Sequence, residues 1–207
     1  MSKIKVSSIL LCAGKSIRTS PENKLLLNIL DKSVLKRTVE ELLSSHFHEV
    51  IAVIGHHRDP IEQELKGLRV KMVHNKYFER GFHSSIKAGI MNIDLDSDYF
   101  AVCLADQPML KKKDYNRLIA AAKSSSEALI IIPTCQGRRG NPVFISSLLI
   151  PEILDHPDSD RGCSYLFEHY TKEILSVEMD SDACLFDIDT PELFKQAKNK
   201  IETEILR

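Results

Sequence analysis

The feature that most constrains the fold of this chain is a regular alternation of short apolar runs with segments of helical periodicity. The apolar runs predict buried strands over residues 6–11, 49–54, 70–73, 99–104, 128–132, 143–145 and 174–178. Helices are predicted over 34–45 with Ser33 as cap, 59–66 with Pro60 at its first position, 84–91, 114–123, 147–154, 162–169, and from Thr190 and Pro191 onwards. Strands separated by helices favour an α/β fold with a largely parallel sheet.

Length, charge and cysteine content restrict the domain count and the partners. At about 150 residues per domain, 207 residues predict one domain over 1–207. The formal net charge of −1 lacks the excess of cations that binds nucleic acid or an anionic membrane, so we expect neither partner. No apolar run approaches the roughly 18 residues of a membrane span, and no signal peptide is visible. Five cysteines without a CxxC pair argue against a disulfide framework or a zinc site, and we expect a cytoplasmic protein.

The first predicted strand leads into residues 11–18, LCAGKSIR, and then Lys24. In a parallel sheet, ligands bind outside the carboxyl ends of the strands. Backbone amides beside small residues can cradle phosphate oxygens, while Arg18 and Lys24 can neutralise their charge. The segment matches neither the P-loop nor the dinucleotide-binding glycine pattern. A polyphosphate site and an ordinary polar loop are therefore both compatible with it.

Carboxylates follow two other strand-like segments. Asp106 follows the predicted strand 99–104 after one intervening residue, and its alternative role is a turn or helix cap before Pro108. Asp187 and Asp189 share one face if their segment is extended, although Asp189 could instead cap the terminal helix. If Asp106 and Asp189 converge, they form an oxygen-ligand site suited to Mg²⁺ with phosphate oxygens completing its shell.

These segments occur in an order that resembles a known family. Besides residues 11–18 and Lys24, the matching motifs are 75–89 (an Asn, a Phe, glycines and a Ser pair), 106–108 (DQP), 137–142 (GRRGNP) and 187–192 (DIDTPE). Together they resemble the molybdenum cofactor nucleotidyltransferases, and most closely the cytidylyl-transferring branch, along residues 9–194. The resemblance implies a Rossmann-like three-layer nucleotidyltransferase fold with a mostly parallel mixed sheet. It also implies Mg²⁺-dependent transfer of a nucleoside monophosphate from CTP to the terminal phosphate of molybdopterin, with release of pyrophosphate.

The resemblance also implies roles for individual residues. The expected nucleotide-binding residues are Leu11, Cys12, Ala13, Gly14, Lys15, Ser16 and Asn75. The expected catalytic residues are Arg18, Lys24 and Asp106, the expected metal ligands are Asp106 and Asp189, and the expected second-substrate residues are Ser84, Ser85, Arg138, Arg139 and Asn141. This chain departs from the family pattern at Cys12, at Thr19 with Ser20, and at Asn141, where a histidine is usual. These departures bear on substrate identity more than on reaction type.

Three alternatives stay open at the level of sequence. A guanylyl-transferring relative would use GTP, although Ala13 and Gln107 favour CTP. Residues 187–189 could be the DxD of a nucleotide-sugar glycosyltransferase, but that motif normally follows a mid-chain strand. A non-catalytic chaperone would hold molybdopterin for a client molybdoenzyme, and the presence of Lys24, Asp106 and Asp189 argues against it.

Overall fold

The computed structural model describes residues 4–14, 23–125 and 127–205. The described strands are β1 (Val6–Cys12), β2 (Asn28–Ile29), β3 (Lys32–Ser33), β4 (Glu49–Ile54), β5 (Lys71–His74), β6 (Tyr99–Leu104), β7 (Ile130–Cys135), β8 (Arg138–Arg139), β9 (Val143–Ser146) and β10 (Ile174–Glu178). The described α-helices are α1 (Val34–Ser44), α2 (Arg58–Leu65), α3 (Phe82–Ile90), α4 (Lys112–Ser124), α5 (Ile150–Asp155), α6 (Leu166–His169) and α7 (Pro191–Ile205).

Eight of these strands form one mixed sheet. Its order is β10-β7-β9-β6-β1-β4-β5, and β8 pairs with β7. The central strand β1 is parallel to β4 and to β6, and β10 is parallel to β7. Strand β9 is antiparallel to both of its neighbours, and β2 and β3 form a separate hairpin. The predicted α/β class with a mostly parallel sheet is confirmed.

The helices cover both faces of the sheet and give it three layers. Because side chains alternate along a strand, Leu10 of β1 joins one apolar cluster while Ile9 and Leu11 join the other. The cluster around Leu10 includes side chains of α1, α2, α4 and α7, and the cluster around Ile9 includes side chains of α3, α5 and α6. None of the helices in the described residues is long and apolar enough to cross a membrane.

Local signals predicted most element positions, and the exceptions have physical reasons. Ser33 caps α1 as predicted, since its Oγ accepts a hydrogen bond from the Lys36 amide at 3.0 Å. The helix predicted with Pro60 first begins two residues earlier, at Arg58. The helix predicted over 162–169 is helical only from Leu166, because Gly162 has a φ of +55° that an α-helix does not allow. A side chain at Gly162 would also lie 2.7 Å from the ring of Phe82.

Candidate active site

A cavity of about 610 Å³ lies at the carboxyl edge of the sheet. The strands β1 and β6 end at this edge. In parallel sheets, ligands bind outside the carboxyl ends of the strands. The residues that line it are Leu11, Ala13, Gly14, Lys24, Leu25, Phe78, Glu79, Gly81, Phe82, Ser85, Leu104, Asp106, Asp160, Asp187 and Asp189. Residues from both ends of the chain therefore meet in one cavity.

The wall of this cavity holds one ammonium group between two carboxylates. Lys24 Nζ donates to Asp106 Oδ2, and it donates to Asp189 Oδ1 at 2.8 Å. The side chains of Lys24 and Asp106 are only 17% and 13% exposed, so solvent screens their attraction weakly. Burial lowers the pKa of Lys24, but the attraction and hydrogen bonds of Asp106 and Asp189 outweigh it and hold the pKa above its usual value. Lys24 is therefore a permanent cation at neutral pH.

The acidic segment of residues 186–190, which precedes α7, is hydrogen-bonded to the residues that follow β6. The amide of Ile188 donates to the carbonyl of Asp106 at 3.0 Å, and Gln107 Nε2 donates to Asp187 Oδ1 at 2.6 Å. Burial, together with the charge of Asp106, raises the pKa of Asp187 to about 6. Thr190 accepts a hydrogen bond from the amide of Leu193 at the start of α7. Asp189 thus lines the cavity with Asp106, and Thr190 is the capping residue of the helix.

The donor set of the cavity suits a small divalent cation. The carboxylates of Asp106 and Asp189 lie close enough together that one cationic group, Lys24 Nζ, contacts both. Among the described residues, no group of three or more His, Cys, Asp or Glu side chains is placed to hold a metal ion by itself. Mg²⁺ characteristically binds through one or two carboxylates plus substrate phosphates, so the residues fit that ion.

The loop after β1 approaches the cavity through its backbone. Leu11, Ala13 and Gly14 line the cavity, whereas Cys12 is buried in the core and burial raises the pKa of its thiol. An added side chain at Gly55 would lie 2.7 Å from Ala13, because the end of β4 packs directly against this loop. The predicted site residues Lys15, Ser16 and Arg18 lie outside the described part of the chain, and their roles stay predictions.

Asn75 stabilises the local structure beside the cavity. Its Nδ2 donates to Ser84 Oγ at 2.9 Å and to Ser85 Oγ at 3.1 Å, and its Oδ1 accepts from the Tyr77 amide at 2.9 Å. The side chain is 4% exposed and does not line the cavity. In this structure Asn75 holds the segment between β5 and α3, and the nucleoside contact expected of it stays a prediction.

A second cavity of about 270 Å³ lies beside the first, and Phe82 lines both. Its polar lining consists of Arg139, Asn141, Arg161 and Ser164, and the guanidinium of Arg139 lies 5.7 Å from the ring centre of Phe167. Apolar side chains of the sheet and of α3 complete its lining: Ile86, Val102, Ile132, Val143 and Ile145.

The expected second-substrate residues are divided between these places. Ser85 lines the first cavity, and Arg139 and Asn141 line the second. Ser84 and Arg138 line neither. The motifs did not single out Phe82, Phe167 or Asp160, because an isolated aromatic or acidic residue in a helix or loop carries no pattern of its own.

A family model and a curated relative match this chain along most of its length. A family model described as the MobA-like NTP transferase domain matches residues 8–174. The chain is 23% identical over 203 residues to the molybdenum cofactor cytidylyltransferase of Escherichia coli strain K12, which covers 97% of this chain and 98% of that protein.

Two solved structures share the fold. A nucleotidyl transferase from Methanothermobacter thermautotroptrophicus matches with a TM-score of 0.84 and 19% identity, over 97% of this chain and 99% of that one. Rv0371c of Mycobacterium tuberculosis H37Rv in complex with manganese matches with a TM-score of 0.77 and 18% identity, over 96% of this chain and 100% of that one. These likenesses confirm the predicted Rossmann-like nucleotidyltransferase fold. Since the family model covers well over half of the sequence, this chain belongs to the MobA-like NTP transferase domain family and is a nucleotidyltransferase.

Proposed function

We propose that this enzyme transfers a cytidylyl group from CTP to the terminal phosphate of molybdopterin, with Mg²⁺ as its cofactor and pyrophosphate as the second product. One observation carries the proposal: the Lys24 ammonium contacts the carboxylates of Asp106 and Asp189 at the carboxyl edge of the sheet. The choice of CTP and molybdopterin rests on the motif resemblance and on the name of the relative from Escherichia coli.

Asp106 and Asp189 are the residues that would hold the metal. A bound Mg²⁺ would neutralise charge on the triphosphate and orient it for attack. The manganese complex of Rv0371c, a protein of the same fold, supports a divalent metal in this kind of enzyme. The backbone of residues 11–14, with Lys15, Ser16 and Arg18 beyond it, would bind the nucleotide beside this pair of carboxylates.

The chemistry requires cations more than it requires a general base. A phosphate monoester is largely doubly ionised near pH 7, so the attacking oxygen of the acceptor already carries charge. It forms a new bond to the α-phosphorus as the bond to pyrophosphate breaks, and negative charge accumulates on the leaving group. Lys24, which stays protonated beside its carboxylates, is suited to stabilise that charge. We assign the same role to Arg18.

The second cavity is suited to the acceptor. Its apolar floor and the ring of Phe167 match a flat heterocycle, and Arg139 and Arg161 match a phosphate group. Phe82 lies between this cavity and the first, so an acceptor phosphate could reach the α-phosphorus of a bound triphosphate.

All five cysteines are unpaired, which agrees with a reducing compartment, and we expect the enzyme to act in the cytoplasm.

The deciding experiment compares the four nucleoside triphosphates. The enzyme is incubated with molybdopterin, Mg²⁺ and each triphosphate in turn, and pyrophosphate release is measured. We expect CTP to exceed the others at least about tenfold, which corresponds to roughly 1.4 kcal/mol of discrimination. Faster release with GTP would identify a guanylyltransferase instead. No release with any triphosphate would refute the enzymatic proposal and favour a molybdopterin-binding chaperone for a client molybdoenzyme.

A matched pair of variants tests the metal assignment. Asp106→Asn keeps the shape of the side chain and removes its charge, so we expect a folded protein without turnover. The control is Asp59→Asn, the same change at an exposed position in the first turn of α2. Normal Mg²⁺-dependent pyrophosphate release by Asp106→Asn would contradict the role of this carboxylate.

A further inference from the structure

Gln107 is completely buried, and its side chain connects two loops of the active site. Its Nε2 donates to Asp187 Oδ1 at 2.6 Å and to the carbonyl of Cys184 at 3.2 Å. Gln107 directly follows Asp106; its acceptor Asp187 lies in the irregular segment that carries Asp189, and its acceptor Cys184 lies just before that segment. One amide group therefore joins the two carboxylate-bearing loops, which are about 80 residues apart in sequence.

This connection matters because the acidic segment has no regular structure of its own. Residues 186–190 lie outside every helix and strand, so no ladder of backbone hydrogen bonds fixes their distance from β6. The contacts that reach them from the end of β6 are the Ile188 amide on the Asp106 carbonyl and the Gln107 side chain on Asp187. The Cys184 carbonyl, which also accepts from the Asn141 amide at 2.9 Å, adds an anchor at the start of the segment.

The chemistry of the amide suits this position. Asp187 lies in the same cavity as Asp106 and Asp189, and Glu79 and Asp160 also line it, so five carboxylates are concentrated there. Lys24 contacts Asp106 and Asp189 and offsets part of the repulsion between them. The Gln107 amide is a neutral donor, so it holds Asp187 beside them without adding another charge. A hydrogen bond to an ionised group contributes about 1.5–3 kcal/mol, which is enough to hold a short irregular segment in place.

We propose that Gln107 is a positioning residue that fixes Asp189 relative to Asp106 and thereby sets the affinity of the enzyme for its divalent metal. This inference rests on the proposed function, because it takes these two carboxylates as the metal ligands. Gln107 itself does not line the cavity. It acts through the segment that it holds.

The test measures Mn²⁺ binding to the full-length, metal-free protein by the loss of the free Mn²⁺ signal in electron paramagnetic resonance, with and without CTP. Gln107→Met keeps the length of the side chain and removes both donors. We expect about a tenfold weaker Mn²⁺ affinity, as is usual when a residue that orients a metal ligand is lost. We also expect kcat to fall much more than the KM for CTP rises. The matched control is Gln63→Met on the exposed face of α2, which should bind Mn²⁺ like the wild type.

A second set of variants covers the case in which Gln107→Met does not fold. In the double variant Gln107→Met with Asp187→Leu, both partners are apolar, and such a replacement costs little stability. Asp187→Asn removes the charge of Asp187 but keeps an acceptor for Gln107. We expect the double variant to lose about tenfold in Mn²⁺ affinity and Asp187→Asn to stay within about threefold of the wild type.

The possible outcomes separate the two proposals. If the wild type shows no saturable Mn²⁺ site even with CTP, the metal assignment in the proposed function fails, and this inference fails with it. If the wild type binds Mn²⁺ and the Gln107 variants bind it equally well, the positioning role is refuted while the proposed function survives. Lower stability of Gln107→Met with unchanged Mn²⁺ affinity would likewise refute the role, since it would show a purely structural residue.

Discussion

Gly140→Ala should damage both stability and the active site, because Gly140 packs against the backbone of Cys184. A β-carbon at this position would overlap the Cys184 carbonyl oxygen and lie 2.8 Å from the carbonyl carbon. Carbon atoms pack best at about 3.5–4.0 Å, so the segment around Cys184 would have to move by roughly 0.7 Å. That carbonyl accepts hydrogen bonds from the Asn141 amide and from Gln107 Nε2, and both would lengthen.

The magnitude of the effect follows from these contacts. Overpacking costs about 1–3 kcal/mol, and each weakened hydrogen bond adds about 0.5–1.5 kcal/mol. We therefore expect Gly140→Ala to lower the free energy of unfolding by about 2–6 kcal/mol. Movement of the segment that carries Asp189 should also lower kcat by about 10–100-fold, since a misplacement of about 1 Å can reduce a rate 100-fold.

Urea unfolding and pyrophosphate release measure the two effects, and Gly137→Ala is the matched control. Gly137 precedes β8, whereas Gly140 follows it; Gly137 has a φ of +74°, and an added β-carbon there meets no atom within 4 Å. Gly137→Ala should cost only the backbone strain of a left-handed residue, about 1–2 kcal/mol, and leave turnover intact. If Gly140→Ala is as stable and as active as Gly137→Ala, the reasoning from the Cys184 contact is wrong.

Three further predictions concern other parts of the molecule. Lys24→Met should stay folded and lower kcat about 100–1000-fold in the pyrophosphate assay, because it removes the cation that contacts both carboxylates; activity near the wild-type level would contradict that role. Asn75→Ala should lower the free energy of unfolding by about 1–3 kcal/mol in urea, since it leaves buried hydroxyl groups and the Tyr77 amide without their partner; an unchanged midpoint would count against this. Burial raises the pKa of Cys103 to about 12, so its reactive thiolate is scarce at pH 8 and increases only as the pH rises towards that value. Iodoacetamide at pH 8 should therefore label the buried cysteines slowly in the native protein and rapidly in urea, and fast native labelling would refute this.

The fold could be predicted from the sequence wherever one local pattern determined the element. The strands over 49–54, 99–104 and 174–178 were predicted with their observed bounds, because apolar runs between polar turns mark them clearly. The helix predicted over 162–169 failed at its start for a tertiary reason. Gly162 packs against Phe82 in a left-handed conformation, and no helical period in the sequence reveals that contact.

The candidate site, like the fold, could be predicted from the sequence only in part. Sequence motifs and the family resemblance predicted Lys24, Asp106 and Asp189 as site residues, and the structure brings all three to one cavity. The sequence left open whether Asp189 caps a helix or lines the site. It also did not anticipate that the Asn75 amide is occupied by Tyr77 and its serine neighbours.

By itself, the sequence determined the α/β class, the order of the elements and the family, because hydrophobic periodicity and short motifs are local properties of a chain. The tertiary structure alone decided which motif residues share a cavity. Asp106 and Asp189 both contact Lys24, and Gln107 and the Ile188 amide bond the two distant loops to each other; such pairing depends on how the sheet is assembled. The physical reason is that strand and helix signals act over a few residues, whereas the geometry of a site depends on contacts between segments far apart in sequence.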